Sequence, residues 1–426
     1  MTKKNYVNRR QFIGTAAAAV GGLMLPISDA FGTYRVATPD DYPSTPHFWY
    51  RKPPNTPYVD SQNKNMAFAF TDTEILFSDD NSHTWHHKKA FPDAKNITYS
   101  HIFNDGTVLF ATREKLYLCK EKLKSYNEII VENTDGSDYL PHTPKNPDNP
   151  GWYFHTVTGV DSWIINGKEM LVWGNYSNVK GGATPLNIYY TTDNGKTVKI
   201  AYSFGQNPYF TDNGSPGGGK GGNLLGNPNN PVICRHIHSV AYNPAEDAFY
   251  ACTGDIKRGP KAKEEVHWLR GTYDLAKDKW NWIVIITESS NTRYKSGGIS
   301  FVDGQMYWIS DANGPEPWDR GIFRCNPADI ANPKSHTLLF NPKYETTRMI
   351  IEDGVILAAL PAVASPFTLG IIISPDLGKT WFEYDIKEFG PFYPSRIQKK
   401  NAEGWFRLDL RSGWIDRSGY MFLKPK

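Results

Sequence analysis

The sequence predicts an all-β protein: a seven-bladed β-propeller of four-stranded antiparallel blades, with six blades as the alternative. Three observations carry that expectation. Aromatic residues make up 14% of the chain and favour strands, while 36 Gly and 30 Pro mark turns and interrupt long helices. One eight-residue turn pattern occurs three times. A second pattern, a short polar strand running into an Asn-, Asp- or Gly-centred turn and then an apolar strand, occurs six times.

Residues 1–30 read as an export signal. Lys3 and Lys4 open a basic region that reaches Arg9-Arg10-Gln11-Phe12-Ile13, a twin-arginine pattern. A mild apolar run from Thr15 to Leu25 follows, too short to span a bilayer, and Ser28-Asp29-Ala30 offers small residues for cleavage. An exported, periplasmic or secreted protein is expected. The segment's four cations against Asp29 account for the whole formal charge of +3, so the mature chain is close to neutral. That leaves no basic field for nucleic acid or an anionic membrane, and a monomer is expected.

Residues 31–426 are expected to form one propeller domain. Its first blade is drawn from His47 to Lys88. Six hairpin units follow, their first strands at Tyr99–Ile102, Asp161–Trp163, His236–Val240, Ser296–Ile299, Thr346–Met349 and Arg396–Gln398. Turns at Asn104-Asp105-Gly106, Asn166-Gly167, Asn243-Pro244, Asp303-Gly304, Asp353-Gly354 and Gly404 lead into the second strands. The chain's two ends are expected to meet and close the ring.

The three-fold turn pattern is Ser78-Asp79-Asp80-Asn81-Ser82-His83-Thr84-Trp85, Thr191-Thr192-Asp193-Asn194-Gly195-Lys196-Thr197-Val198 and Ser374-Pro375-Asp376-Leu377-Gly378-Lys379-Thr380-Trp381. An Asp side chain caps the backbone N–H groups of a tight turn, Gly supplies positive φ, and Trp covers the blade core. The pattern resembles the Asp-box of the BNR, sialidase-like propeller superfamily, which implies a turn between the third and fourth strands of a blade. The first copy has Ser82 where Gly is usual, and the second ends in Val198.

Propeller connectivity places the short turns on one face. The long Gly-, Pro- and Asn-rich links fall on the other: 140–151, 178–185, 205–231, 254–265, 311–321 and 361–370. One alternating register of the first strands then points Thr98 and Ser100, Gly159 and Asp161, His236 and His238, Ser296 and Gly298, Thr346 and Arg348, and Arg396 and Gln398 at the axis. Two His and two Arg at one channel mouth suit an anionic ligand and proton transfer. His238, His236 and Arg348 are the catalytic candidates, with His101 one residue off register and His155 beside Trp152, Tyr153 and Phe154. Arg396, Asp161, and Trp318 and Arg320 on a long loop are the substrate-binding candidates. Cys234 and Cys252 flank the hairpin turning at Asn243-Pro244 and read as a disulfide or as reduced core residues. No cofactor is expected. The alternative is a structural metal ion on Cys234, His236 and Cys252.

The overall layout is similar to propeller rhamnose–glucuronate lyases and related α-L-rhamnosidases. The resemblance implies a polysaccharide lyase acting by β-elimination at L-rhamnose-α-1,4-D-glucuronate linkages. A cation (Arg348 or Arg396) would neutralise the uronate carboxylate, a His (His238 or His236) would take the C5 proton, and a Tyr or second His would protonate the leaving oxygen. The rhamnosidase branch implies instead a His near the start of the mature chain working from the opposite face, here His47. A sialidase-like hydrolase and a non-catalytic glycan-binding propeller are the remaining alternatives. Sialidases carry an early Arg-Ile-Pro motif. The nearest string here, Ser395-Arg396-Ile397-Gln398, is late and lacks the Pro.

Overall fold

The computed structural model describes residues 42–54, 56–112, 115–132, 138–139, 160–175, 186–206, 226–254, 264–288, 292–311, 319–343, 346, 348–360, 370–386, 393–411 and 417–426. Seven sheets follow one another along Tyr42–Lys426, antiparallel throughout except that blade 3 gains two short strands, Val131–Glu132 and Asp138–Tyr139, the first of them parallel to Val198–Ser203. Blades 1 to 6 are drawn from residues 58–90, 99–129, 161–203, 236–288, 296–340 and 348–385. Blade 7 takes three strands from 393–425, and its outermost strand is Phe48–Arg51 from the other end of the chain. The ring is therefore closed by pairing its two ends, Phe48 opposite Pro425 and Arg51 opposite Phe422. The sequence expectation for His47–Lys88 is corrected in one respect: blade 1 starts at Tyr58, and His47 belongs to the closing blade.

The first strands, at Tyr58–Asn63, Tyr99–Ile102, Asp161–Ile165, His236–Asn243, Ser296–Val302, Arg348–Glu352 and Tyr393–Gln398, each lead their sheet. The turns after them follow from their residues. Asn166-Gly167, Asp303-Gly304 and Asp353-Gly354 all take positive φ at both positions, the two-residue hairpin geometry that Asn, Asp and Gly tolerate best. The three repeated turns also fold alike, each between the third and fourth strands of its blade. Thr84, Thr197 and Thr380 donate backbone N–H bonds of 2.8–3.0 Å to the carboxylates of Asp80, Asp193 and Asp376. The Ser78, Thr191 and Ser374 hydroxyls accept from the N–H four residues on. In the first copy Ser82 adopts φ +67°, the conformation that Gly195 and Gly378 supply in the others.

The core lies between blades. Second strands are apolar on both faces, and alternate residues serve opposite neighbours. Val108 and Phe110 pack toward blade 1, Leu109 and Ala111 toward blade 3; Met306 and Trp308 face blade 4, Tyr307 and Ile309 blade 6. Blade 7 breaks the pattern. Phe406, Leu408 and Leu410 pack toward blade 6, but the intervening residues facing blade 1 are Arg407 and Asp409. Arg396 donates to Asp409 at 2.7 Å and to Asp60 of blade 1 at 2.8 Å, and Arg407 donates to Asp409 at 2.6 Å. Tyr58 also donates to Asp409. These four charged residues are at most 1% exposed. A buried ionic network thus holds the seam where the ring closes.

Candidate active site

Among the described residues, four first strands carry a bulge. The register skips Asp60 in blade 1, His238 in blade 4, Gly297 in blade 5 and Ser395-Arg396 in blade 7. A bulge adds one residue, bends the strand and re-aims its side chain. Three of the four bulges hold a charged or imidazole group.

At the end of the axis where the first strands begin, the side of the long links, His236 and His238 stack with ring centroids 4.9 Å apart. His238 Nδ1 lies 3.0 Å from the Ser296 carbonyl oxygen. A carbonyl only accepts, so Nδ1 carries a proton, and in the neutral ring Nε2 carries the lone pair. Asp311 Oδ2 stands 3.9 Å from the same nitrogen and 3.6 Å from Lys295 Nζ. Cys252 donates its thiol to the same carbonyl at 3.3 Å. Gly254 makes room for the ring: a Cβ there would fall 2.5 Å from His238 Cε1 and Nε2. An imidazole whose tautomer is fixed by a carbonyl and backed by a carboxylate is arranged as a base at Nε2. His236 and His238 are 2% and 3% exposed, and residues 255–263 and 312–318, which follow their neighbouring strands, lie outside the described residues.

At the other end, toward the first-to-second turns, a cavity of about 520 Å³ occupies the axis. His101 and Asp161 line it, together with Lys399, Glu352, Ser162 and Glu169. Lys399 reaches Asp161 at 2.7 Å. Burial opposes the charge on Lys399, but Asp161 and then Glu352 outweigh it and raise its pKa. Burial also raises the Glu352 carboxyl above its ordinary value, although it accepts the Lys400 N–H at 2.6 Å and feels the Lys399 and Lys400 charges. His101 is lowered by burial, with Asp161 and Glu169 pulling the other way. Its Nε2 lies 3.1 Å from Ser162 Oγ, which donates to Glu169 at 2.6 Å. Glu169 also accepts the Asn104 N–H at 2.8 Å. Asp161, Ser162, Glu169 and His101 are thus bound to partners already, which suits binding more than proton transfer.

The sequence candidates therefore separate. His236 and His238 come together at one end, and His101 and Asp161 share the cavity at the other. Arg348 is half-buried at the start of its strand. Arg396 is corrected: its guanidinium is consumed by Asp60 and Asp409 inside the closing seam, so it faces neither site. His47 is likewise corrected. It stacks on Phe382 at 3.5 Å and bonds Tyr384 on the outermost strand of blade 6, at the rim and away from the axis. Arg320 is buried and donates to the Lys343 carbonyl at 2.8 Å. His155 and Trp318 lie outside the described residues. Lys295, Asp311, Lys399 and Glu352 were not singled out by the sequence. Only the position of Glu352 beside the Asp353-Gly354 turn could have signalled it.

Of the two readings of Cys234 and Cys252, the structure has the reduced, buried one, and the two residues do not face one another. Cys252 pairs across from Ser239, whereas Cys234 precedes the strand and packs in the seam with blade 3; Cys252 packs in the seam with blade 5. Both are free thiols, and burial pushes Cys252 up to about 12 and Cys234 well above its ordinary value. Among the described residues no three His, Cys, Asp or Glu side chains converge as metal ligands.

No family model and no curated protein matches the chain. Among solved structures it is similar to YCF48 bound to D1 peptide, at 12% identity over 90% of this chain and 98% of that one, with a TM-score of 0.48. It is also similar to the Penicillium chrysogenum α-L-arabinanase complexed with arabinobiose, at 13% identity over 78% and 93% of the two chains, with a TM-score of 0.42. Likeness at that level has no bearing on what this chain does.

Proposed function

We propose that the protein is an exported carbohydrate-active enzyme that cleaves rhamnose- and glucuronate-containing polysaccharide by β-elimination, with His238 as the base. One observation supports the reading above the others: His238 is held with its proton on Nδ1 by the Ser296 carbonyl, with Asp311 behind it. In the proposed step Nε2 takes the uronate C5 proton, the electron pair forms the C4–C5 double bond, and the C4–O bond breaks. His236, stacked on His238, is placed to protonate the leaving oxygen. Lys295 or Arg348 would neutralise the uronate carboxylate that makes C5–H acidic. The likeness of the three repeated turns to Asp-boxes belongs to the same proposal, as does export by the twin-arginine signal. An exported mature protein starting after residue 30 is expected on N-terminal sequencing.

The test is incubation with gum arabic or another rhamnose–glucuronate glycan, followed by ultraviolet absorbance of the unsaturated uronate. The wild type should generate it and His238→Ala should not. Free rhamnose without that absorbance would replace elimination by hydrolysis. A wild-type rate in His238→Ala would remove the base, and inertness toward all such glycans would leave a binding propeller.

A further inference from the structure

We infer that the axial cavity, at the end opposite His238, is a separate binding site for a neutral pyranose. Its two walls differ in chemistry. On the side of blades 7, 1, 2 and 3, the Asp161–Lys399 pair stays 41% and 44% exposed although both residues stand at the axis, so an acceptor and a donor face the cavity side by side. Adjacent ring hydroxyls, each both donor and acceptor, match such a pair: one donates to the carboxylate while its neighbour accepts from the ammonium. On the side of blades 4 and 5 the lining includes Tyr242, Ile299 and Phe301, the two aromatic rings half-buried. These suit the C–H face of a sugar ring.

Charge decides between sugar classes. The lining holds Lys64, Lys399 and Lys400 against Asp161, Glu169 and Glu352, an even balance. A uronate would add an unmatched anion beside three carboxyl groups, whereas a neutral sugar adds none. A 6-deoxy sugar would also place a methyl group on the apolar wall. About 520 Å³ accommodates one or two such rings. The site needs no chemistry at His238. Only the choice of L-rhamnose as the probe rests on the proposed glycan.

The test is calorimetric titration of the full chain with L-rhamnose and with D-glucuronate, alongside intrinsic tryptophan fluorescence, since Trp163 lines the cavity. L-Rhamnose should bind in the low millimolar range, as expected for so small a ligand. His238→Ala should bind equally well. The double variant Asp161→Ala/Lys399→Ala should bind at least tenfold more weakly. Ser300→Trp, which fills the cavity from blade 5 and leaves the pair in place, should abolish binding. Absence of saturable L-rhamnose binding, tighter binding of D-glucuronate, or undiminished binding in Ser300→Trp would each overturn the assignment. Because glycan turnover is read separately, loss of the catalytic proposal and loss of this site give different results.

Discussion

Replacing Asp409 by Asn changes one oxygen for one NH₂, at a position where the surroundings have no room for the difference. Asp409 accepts from Arg396, Arg407 and Tyr58 and is 1% exposed. With Asp60 it balances the two guanidinium groups. Asp409→Asn leaves two buried cations against one anion, and turns an N–H toward groups that are themselves donors. Breaking a buried pair by removing one partner costs about 3–5 kcal/mol. For a unit of roughly 385 residues (Tyr42–Lys426) the unfolding entropy is about 0.8 kcal/mol/K, so Tm should fall by about 4–6 °C. Differential scanning calorimetry at one scan rate measures it. The control is Glu128→Gln, which breaks the Lys115–Glu128 pair on blade 2, whose side chains are 49% and 44% exposed. An exposed pair contributes at most about 1 kcal/mol, so that shift should be about 1 °C or less. Equal shifts for the two variants would refute the argument that the network holds the closing seam.

Three further outcomes follow from local geometry. Ser82→Gly should stabilise the protein by about 0.5–1 kcal/mol, because Ser82 holds φ +67°; a lower urea midpoint than wild type would contradict this. Glu352 has a folded pKa above its unfolded value, so its contribution is present below the unfolded pKa and is lost as pH rises through the folded one. The Tm of Glu352→Gln relative to wild type should therefore rise as pH increases above the ordinary carboxylate range, about 4, and a flat or falling difference would show that the carboxyl is not raised. Gly254→Ala should push the His238 ring from its place and lower turnover of the glycan by about 100-fold with the fold intact by circular dichroism. An unchanged rate would separate Gly254 from the proposed base.

What the sequence made legible was local. The Asn166-Gly167, Asp303-Gly304 and Asp353-Gly354 turns and the three Asp-capped turns are decided within a few residues by φ preference and side-chain capping, and they fold as read. Bulges are not visible in that way, because a strict two-residue alternation assumes that every strand residue has a partner. Alternation assigned Arg396 to the axis and could not reveal that Asp60, re-aimed by its own bulge, would hold it in the closing seam instead. Asp60 sits in Tyr58-Val59-Asp60-Ser61, a stretch with no turn or repeat to draw attention to it. Lys399 and Glu352 escaped for a different reason. They lie at the ends of first strands, next to turns, where charged residues ordinarily mean solvent exposure and only the closed ring turns them inward.

The bulges also explain why chemically similar residues end in different roles. They occur in two pairs of adjacent blades, 7 with 1 and 4 with 5, on opposite sides of the ring. In the first pair Arg396 meets Asp60 directly, with Asp409 as a second anion, and opposite charges neutralise one another out of contact with water. Such a contact pins the last blade to the first, with both charges consumed by one another. In the second pair the bulge of blade 5 contributes no side chain, since Gly297 is the skipped residue, and His238 meets the Ser296 carbonyl instead. A carbonyl satisfies one imidazole nitrogen and fixes which nitrogen bears the proton in the neutral ring. The same backbone device therefore yields a lock where two charged side chains face each other, and an oriented imidazole, the base of the proposed reaction, where a ring faces a main-chain oxygen.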